Sequence, residues 1–160
     1  MKVSFDHIPL SRKPIVQSWG DFLMQYGSWN WIGTVTFAMK VSRFRLHNTW
    51  RDFVMRLART LNAHIPAAWV IETKDGMHHL HILLELPATV AITPESLTPM
   101  LRAMDRMVGI EEFQPFDPNR GWAWYMAKVE DPDINVGCPR SGPCNHRACR
   151  VAPGPWHRMS

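Results

Sequence analysis

Two histidines separated by one residue lie in the segment HLHILLEL (79–86), where apolar side chains alternate with other residues. Because side chains alternate along a β-strand, His79 and His81 would share one open face, opposite a fully apolar face. Glu72 ends the preceding run AAWVIE (67–72), and Asp75-Gly76 between the runs predicts a hairpin that brings Glu72 beside both histidines. Two imidazoles and a carboxylate can bind a divalent metal ion and leave coordination positions for a substrate. Two unrelated surface histidines are the alternative interpretation.

A tyrosine and a lysine lie three residues apart near the end of the chain. Tyr125 and Lys128 fall in the segment 120–131, which has no helix breaker after Gly121 and predicts a helix that presents both side chains on one face. A phenol with a pKa of about 10 is a poor nucleophile unless an ammonium group or a metal ion stabilises its phenolate. A packing stripe that also contains Trp122 and Met126 is the alternative.

A strongly basic stretch precedes the hairpin. Between residues 40 and 59 a single acid, Asp52, accompanies six basic residues, which predict a strip that binds DNA phosphates: Lys40, Arg43, Arg45, Arg51, Arg56 and Arg59. A solvated helix face is the alternative interpretation. Phe44, Trp50 and Phe53 lie between these cations, and either stacking on bases or packing in the core would explain them.

The last 25 residues differ in composition from the rest. They contain four arginines and no acid, and so account for the formal net charge of +4. They also contain Cys138, Cys144, His146 and Cys149, which are enough in kind for a structural zinc site; a disordered basic tail with affinity for phosphates is the alternative. With its three cysteines confined to this tail, the chain fits a reducing cytoplasm. No apolar run approaches the roughly 18–20 residues of a membrane span, and no signal-peptide stretch begins the sequence.

The periodicity of apolar residues predicts the elements that must position these side chains. Helices are expected at 14–26, from Asn48 to about 61, from about 93 to 109 and at 120–131, and strands at 31–37, 67–72, 79–86 and 110–115. The order β-α-β-β-α-β followed by a helix is typical of the α+β ferredoxin-like split βαβ fold. We therefore expect a four-stranded antiparallel sheet with helices on one face, and a site on the other face.

Three segments occur in an order that resembles the HUH endonuclease superfamily. They are the strand WIGTVTF (31–37), the hairpin with Glu72 and His79-Leu80-His81, and the pair Tyr125 and Lys128 on a late helix. The resemblance is closest to the single-tyrosine initiators of rolling-circle replication in plasmids and single-stranded DNA phages. It covers about residues 29–131, and its most specific parts are GMHHLHILLE (76–85) and YMAK (125–128). The two-tyrosine type has a second tyrosine on this helix, which is absent here.

The resemblance implies a role for each of these residues. Glu72, His79 and His81 would hold a divalent metal ion. Phosphate chemistry favours Mg²⁺ or Mn²⁺, although the two histidines also suit softer ions. His78 faces the loop or the opposite side of the strand and is a lesser candidate. Tyr125 would be the nucleophile that forms a 5′-phosphotyrosyl intermediate, and Lys128 would neutralise charge. The substrate would be single-stranded or hairpin DNA at a replication origin, with unwinding by a host helicase. The domains implied are an N-terminal helical extension (1–28), the HUH nuclease (29–135) and the basic tail (136–160).

Three other functions remain open at this stage. Single-tyrosine transposases share the histidine strand. A non-catalytic nucleic-acid-binding module could have the same ferredoxin-like sheet, although the RNP sequence pattern is absent. A small metal-dependent hydrolase would use water instead of Tyr125 as the nucleophile. The hydrolase predicts turnover without a covalent protein–DNA adduct, and the binding module predicts DNA binding that survives both EDTA and Tyr125→Phe.

Overall fold

The computed structural model describes residues 12–89, 92–104, 108–128, 134–137 and 156–159. It is an α+β structure whose element order agrees with the predicted ferredoxin-like pattern. The elements are α1 (Lys13–Tyr26), β1 (Trp31–Phe37), α2 (Arg43–Thr60), β2 (Ala67–Lys74), β3 (Met77–Leu84), α3 (Pro94–Met104), β4 (Val108–Pro115), a 3₁₀ turn (Pro118–Arg120), α4 (Trp122–Ala127), β5 (Ile134–Gly137) and β6 (Trp156–Met159). No helix in this part of the chain is both long and apolar enough to cross a membrane.

The strands form one antiparallel sheet in the order β4-β1-β3-β2-β5-β6. Strand β3 lies between β1 and β2, as the split βαβ arrangement requires. The predicted hairpin of β2 and β3 is present, and its turn has Asp75 and Gly76 at positive φ. Strands β5 and β6 extend the sheet beyond β2, an extension that the sequence analysis did not predict.

The helices that connect the strands, α2 and α3, pack on one face of the sheet. Their apolar side chains form a core with the strand residues that point the same way, such as Trp69, Ile71, Leu80 and Ile82. The structure differs from the expectation in one respect, because α1 and α4 pack on the other face, against a second apolar group of strand residues: Ile32, Ala68, Val70 and Leu83. That face is therefore covered along one part and available for a site along the rest.

Three helix boundaries differ from the prediction. Helix α2 begins at Arg43, five residues before Asn48, because the side chain of Ser42 caps it by accepting a hydrogen bond from the Arg45 amide at 3.2 Å. Helix α3 ends at Met104, and Val108 already belongs to β4. Helix α4 has only six residues, and it starts after Gly121, whose φ of 69° ends the preceding 3₁₀ turn.

Candidate functional site

The register of the central strands places the predicted ligands on one face. Glu72 on β2 lies directly opposite His79 on β3, and His79 lies opposite Thr36 on β1. Two residues further along β3, His81 lies opposite Thr34. Because alternate residues share a face, all five side chains lie on the face of the sheet that carries α4.

His81 is the centre of a hydrogen-bonded chain. Its Nε2 is 2.7 Å from Oε2 of Glu72, and its Nδ1 is 3.2 Å from Oγ1 of Thr34. The residue is only 5% exposed and is the one buried polar or charged residue in the described part of the chain. This differs from the open position expected from the sequence. Since both ring nitrogens have partners, burial of the imidazole leaves no unsatisfied polar group.

The other two histidines point in different directions. His79 shares the face of His81, and its Nδ1 is 2.9 Å from Oγ1 of Thr36. Burial lowers the pKa of His79, which favours the neutral ring that metal ions bind. His78, the lesser candidate, pairs with Thr73 at 2.8 Å, on the opposite face of the hairpin. Its pKa is lowered by burial and by the nearby charges of Arg43 and Lys40.

Helix α4 brings Tyr125 to the same group of residues. The Tyr125 hydroxyl donates a long hydrogen bond of 3.5 Å to Oε2 of Glu72. Its ring meets His81 edge-on, with 5.0 Å between the centroids, and stacks on Trp122 at 5.2 Å. The ammonium of Lys128 lies over the Tyr125 ring, 3.8 Å from its centroid. The predicted nucleophile, its lysine and two of the three predicted metal ligands therefore form one continuous cluster.

The charges in this cluster favour an ionised carboxylate beside a neutral phenol. The hydrogen bond from His81 lowers the pKa of Glu72, and the charges of His81, Lys128 and His79 act in the same direction. Burial raises the pKa of Tyr125, and the carboxylate of Glu72 raises it further. Burial lowers the pKa of Lys128. At neutral pH the phenol keeps its proton, and the proton faces an acceptor.

The predicted metal ligands are not assembled around a common point. Within the described ranges, no group of three or more His, Cys, Asp or Glu side chains is arranged to hold a metal ion. Glu72 instead bonds His81 directly. The donor types nevertheless fit a divalent ion. Threonine hydroxyls engage Nδ1 of both His79 and His81, and such outer partners orient metal-binding histidines. A hydroxyl can donate or accept, so Thr34 can support the tautomer of His81 that leaves Nε2 available to a metal.

The predicted DNA-binding strip does not line this face as a unit. Helix α2 packs its apolar side on the opposite face of the sheet, and Arg45, Arg56 and Arg59 are exposed on the rest of its surface. Arg51 forms an ion pair with Asp52 at 2.9 Å. Lys40 and Arg43 lie near His78, whose pKa is lowered by burial and then by their charges, but His78 points to the opposite face of the hairpin.

The aromatic residues of this stretch separate into two groups. Trp50 and Phe53 are fully buried in the core, so packing explains both of them. Phe44 is 76% exposed, and packing does not explain it.

The structure adds residues that the sequence analysis did not assign to the site. Thr34 and Thr36 orient the imidazoles, and Trp122 supports Tyr125 while its Nε1 donates to the carbonyl of Ile82 at 3.3 Å. The charge of Lys74 acts on His79 and Lys128. Alternation along the strands could have found the threonines and Lys74, since each shares a face with a predicted ligand. Cys138, Cys144, His146 and Cys149, the predicted zinc ligands, lie outside the described residues.

Comparison of the chain with models of known protein families, with curated proteins and with solved structures finds no match. The functional assignment therefore rests on the order of the sequence motifs and on the contacts within the site.

Proposed function

We propose that this protein is a metal-dependent endonuclease that cuts single-stranded DNA with a tyrosine nucleophile and so initiates rolling-circle replication of a plasmid or phage. One observation carries this proposal: the hydroxyl of Tyr125 reaches Glu72, 53 residues earlier in the chain, at the carboxylate oxygen that His81 also contacts. The β2–β3 hairpin and α4, which are distant from each other in sequence, thus bring a phenol, a carboxylate and an imidazole together.

The contacts support a specific chemical step. The phenolic oxygen of Tyr125 forms a bond to phosphorus, and the bond between phosphorus and the 3′ oxygen breaks. The carboxylate of Glu72 accepts the phenolic proton, while the departing 3′ oxygen takes a proton from solvent. The ammonium of Lys128, which lies over the Tyr125 ring, stabilises the developing negative charge. A divalent ion held by Glu72, His79 and His81 would, when bound, polarise the phosphate.

The product retains the capacity to be resealed. One DNA end stays attached to Tyr125 as a 5′-phosphotyrosine, and the other carries a free 3′-hydroxyl. Attack by a 3′-hydroxyl on the phosphotyrosine reverses the step, and it either reseals the strand or transfers it to another end. An initiator of rolling-circle replication needs both outcomes. We place the activity in the cytoplasm, at a replication origin in single-stranded or hairpin form, with a host helicase as partner.

A denaturing gel tests this function. The protein is mixed with Mn²⁺ and a pool of single-stranded oligonucleotides labelled at the 3′ end in one sample and at the 5′ end in another. We expect the 3′ label to migrate with the protein and the 5′ label to appear on a shorter free fragment. EDTA and Tyr125→Phe should each abolish both signals. Tyr26→Phe is a matched control because the chain has only two tyrosines, and it should retain both.

Other results identify the alternative functions. Fragments without a protein-linked label would mean that water attacks, as in a metal-dependent hydrolase. Binding that survives EDTA and Tyr125→Phe, with no cleavage by the wild type, would indicate a non-catalytic module. A single-tyrosine transposase would form the same adduct, but on the ends of a mobile element instead of an origin.

A further inference from the structure

Phe44 is the most exposed large hydrophobic side chain in the described residues, at 76% of its surface. It lies in the first turn of α2, outside the apolar stripe that the same helix buries through Leu46, Trp50 and Phe53. Met39, on the loop that leads into this helix, is 63% exposed. An aromatic ring held in water on a rigid helix has a flat face available for stacking.

A groove of about 300 Å³ lies beside this ring. Its lining combines the aromatic face and a methionine with polar side chains: Phe44, Arg45, Asn48, Thr49, Asp52 and Met104. The amide of Asn48 and the carboxylate of Asp52 offer a donor and acceptors across from an apolar surface. A flat apolar wall with polar groups at its edge matches a heterocyclic base, which has an apolar face and polar edges.

The charge around the groove complements a chain of phosphates. Lys40, Arg43 and Arg45 lie within six residues, and the one acid that lines the groove, Asp52, forms an ion pair with Arg51 at 2.9 Å. Lys40 and Arg43 lie near His78, whose pKa is lowered by burial and then by their charges, and His78 adjoins His79 on β3. A single strand that leaves the site over this end of the sheet would meet the cations first and then the Phe44 ring.

We propose that this groove binds one unpaired base of the single-stranded DNA that flanks the cut, by stacking the base on Phe44 while Lys40, Arg43 and Arg45 contact the neighbouring phosphates. The choice of DNA as ligand rests on the proposed function. The groove confers a preference for single strands, because the bases of a duplex have no free face to present.

Fluorescence anisotropy with the full chain tests the groove directly. The affinity for a labelled single-stranded oligonucleotide pool and for a duplex of the same length is measured in EDTA, where no cleavage occurs. We expect Phe44→Ala to weaken single-strand binding about tenfold and to leave duplex binding unchanged. The slope of log affinity against log salt should stay the same, since no phosphate contact is lost. Phe44→Trp should restore the affinity, and Ile15→Ala, which removes another exposed side chain, should have no effect.

Three results would contradict the proposal that this groove binds a base. In the first, Phe44→Ala binds single strands as tightly as the wild type does. In the second, it loses the same affinity for the duplex as for single strands. In the third, the wild type binds neither DNA. If Phe44→Ala binds single strands as tightly as the wild type, the exposed ring would instead serve to contact a protein partner. Because binding is measured without metal, the anisotropy result is independent of the adduct assay. A single-strand affinity that depends on Phe44, together with no adduct, would contradict the proposed nuclease activity and support the base-binding groove.

Discussion

Tyr125 and Glu72 share a contact across which a proton can move, and their pKa values shift in opposite directions. The hydrogen bond from His81 lowers the pKa of Glu72, while burial and then the charge of Glu72 raise the pKa of Tyr125. The phenol is therefore not ionised in advance at neutral pH. In the proposed reaction this proton leaves as the phosphate is attacked, and Glu72, which the hydroxyl contacts, would accept it.

Replacing Glu72 by Gln should lower the pKa of Tyr125 part of the way to its usual value. The negative charge disappears, but the burial that contributes most to the shift remains. An ultraviolet titration of the phenolate measures this in a Tyr26→Phe background, where Tyr125 is the single tyrosine. An unchanged titration curve would show that the carboxylate is not close to the phenol.

The raised pKa of Tyr125 also affects stability. The protonated phenol favours the folded state, and this contribution is lost as the pH rises through the folded-state pKa of Tyr125.

His81→Ala should destabilise the fold as well as abolish cleavage. The imidazole is buried and bonds both Glu72 and Thr34, so its loss leaves two polar groups without their partner. We expect a decrease of about 1–3 kcal/mol in the free energy of unfolding, measured by urea denaturation. His79→Ala, at a more exposed position on the same strand, should cost less. If both variants lose equally little free energy of unfolding, the result would contradict the claim that His81 bonds both Glu72 and Thr34.

At the scale of elements, α4 depends on α1. A helix of six residues is not stable alone, and α4 carries Tyr125 into the site. Helix α1 approaches it closely at Gly20, where an added Cβ would collide with the ring of Trp124. The geometry of the candidate site thus depends on a helix that contributes no side chain to it.

Gly20→Ala should therefore be destabilising, although alanine is the better helix former. The collision with Trp124 should cost about 1–3 kcal/mol and reduce adduct formation by displacing α4. Ser18→Ala, an exposed position on the same helix, provides the matched control and should leave both quantities close to wild type. Thermal unfolding together with the adduct assay checks this. A more stable Gly20→Ala protein would contradict the packing of α1 on α4.

The basic residues should divide into two groups, one at or just before the start of α2 and one near its end. Lys40 and Arg43 lie at the end of the sheet near His78, whereas Arg56 and Arg59 lie further along the helix, which covers the opposite face. We expect the double variant Lys40→Ala/Arg43→Ala to weaken DNA binding and to reduce the salt slope by about 2. Arg56→Ala/Arg59→Ala removes the same charge and should have little effect. Equal losses would mean that all of α2 contacts DNA.

At the scale of the whole molecule, periodicity predicted the architecture well. The β-branched and aromatic residues of WIGTVTF, the Asp75-Gly76 turn and the spacing of apolar residues on α2 each specify a local structure, and the order of these elements is that of a ferredoxin-like fold. Period-two alternation also placed Glu72, His79 and His81 on a common face. These features depend on residues close together in the chain.

Features that depend on distant parts of the chain were not predicted. Trp122 and Tyr125 on α4, far along the chain, approach His81 edge-on and help to bury it. Periodicity indicates that one side of α1 is apolar, but it does not indicate which face of the sheet that side covers. Strands β5 and β6 have four residues each, too few for a periodic signal, and they lie next to segments rich in proline and glycine.

Identification of the residue that carries the DNA tests the central claim most directly. Wild-type protein is allowed to react with single-stranded oligonucleotides and Mn²⁺, the adduct is digested with protease and nuclease, and the modified peptide is sequenced by mass spectrometry. The proposed function predicts a nucleotide attached through a 5′-phosphate to Tyr125, whose hydroxyl contacts the Glu72 carboxylate that also bonds His81. A nucleotide on Tyr26 or on a serine, or cleaved DNA with no modified peptide, would contradict the assignment of Tyr125 as the nucleophile.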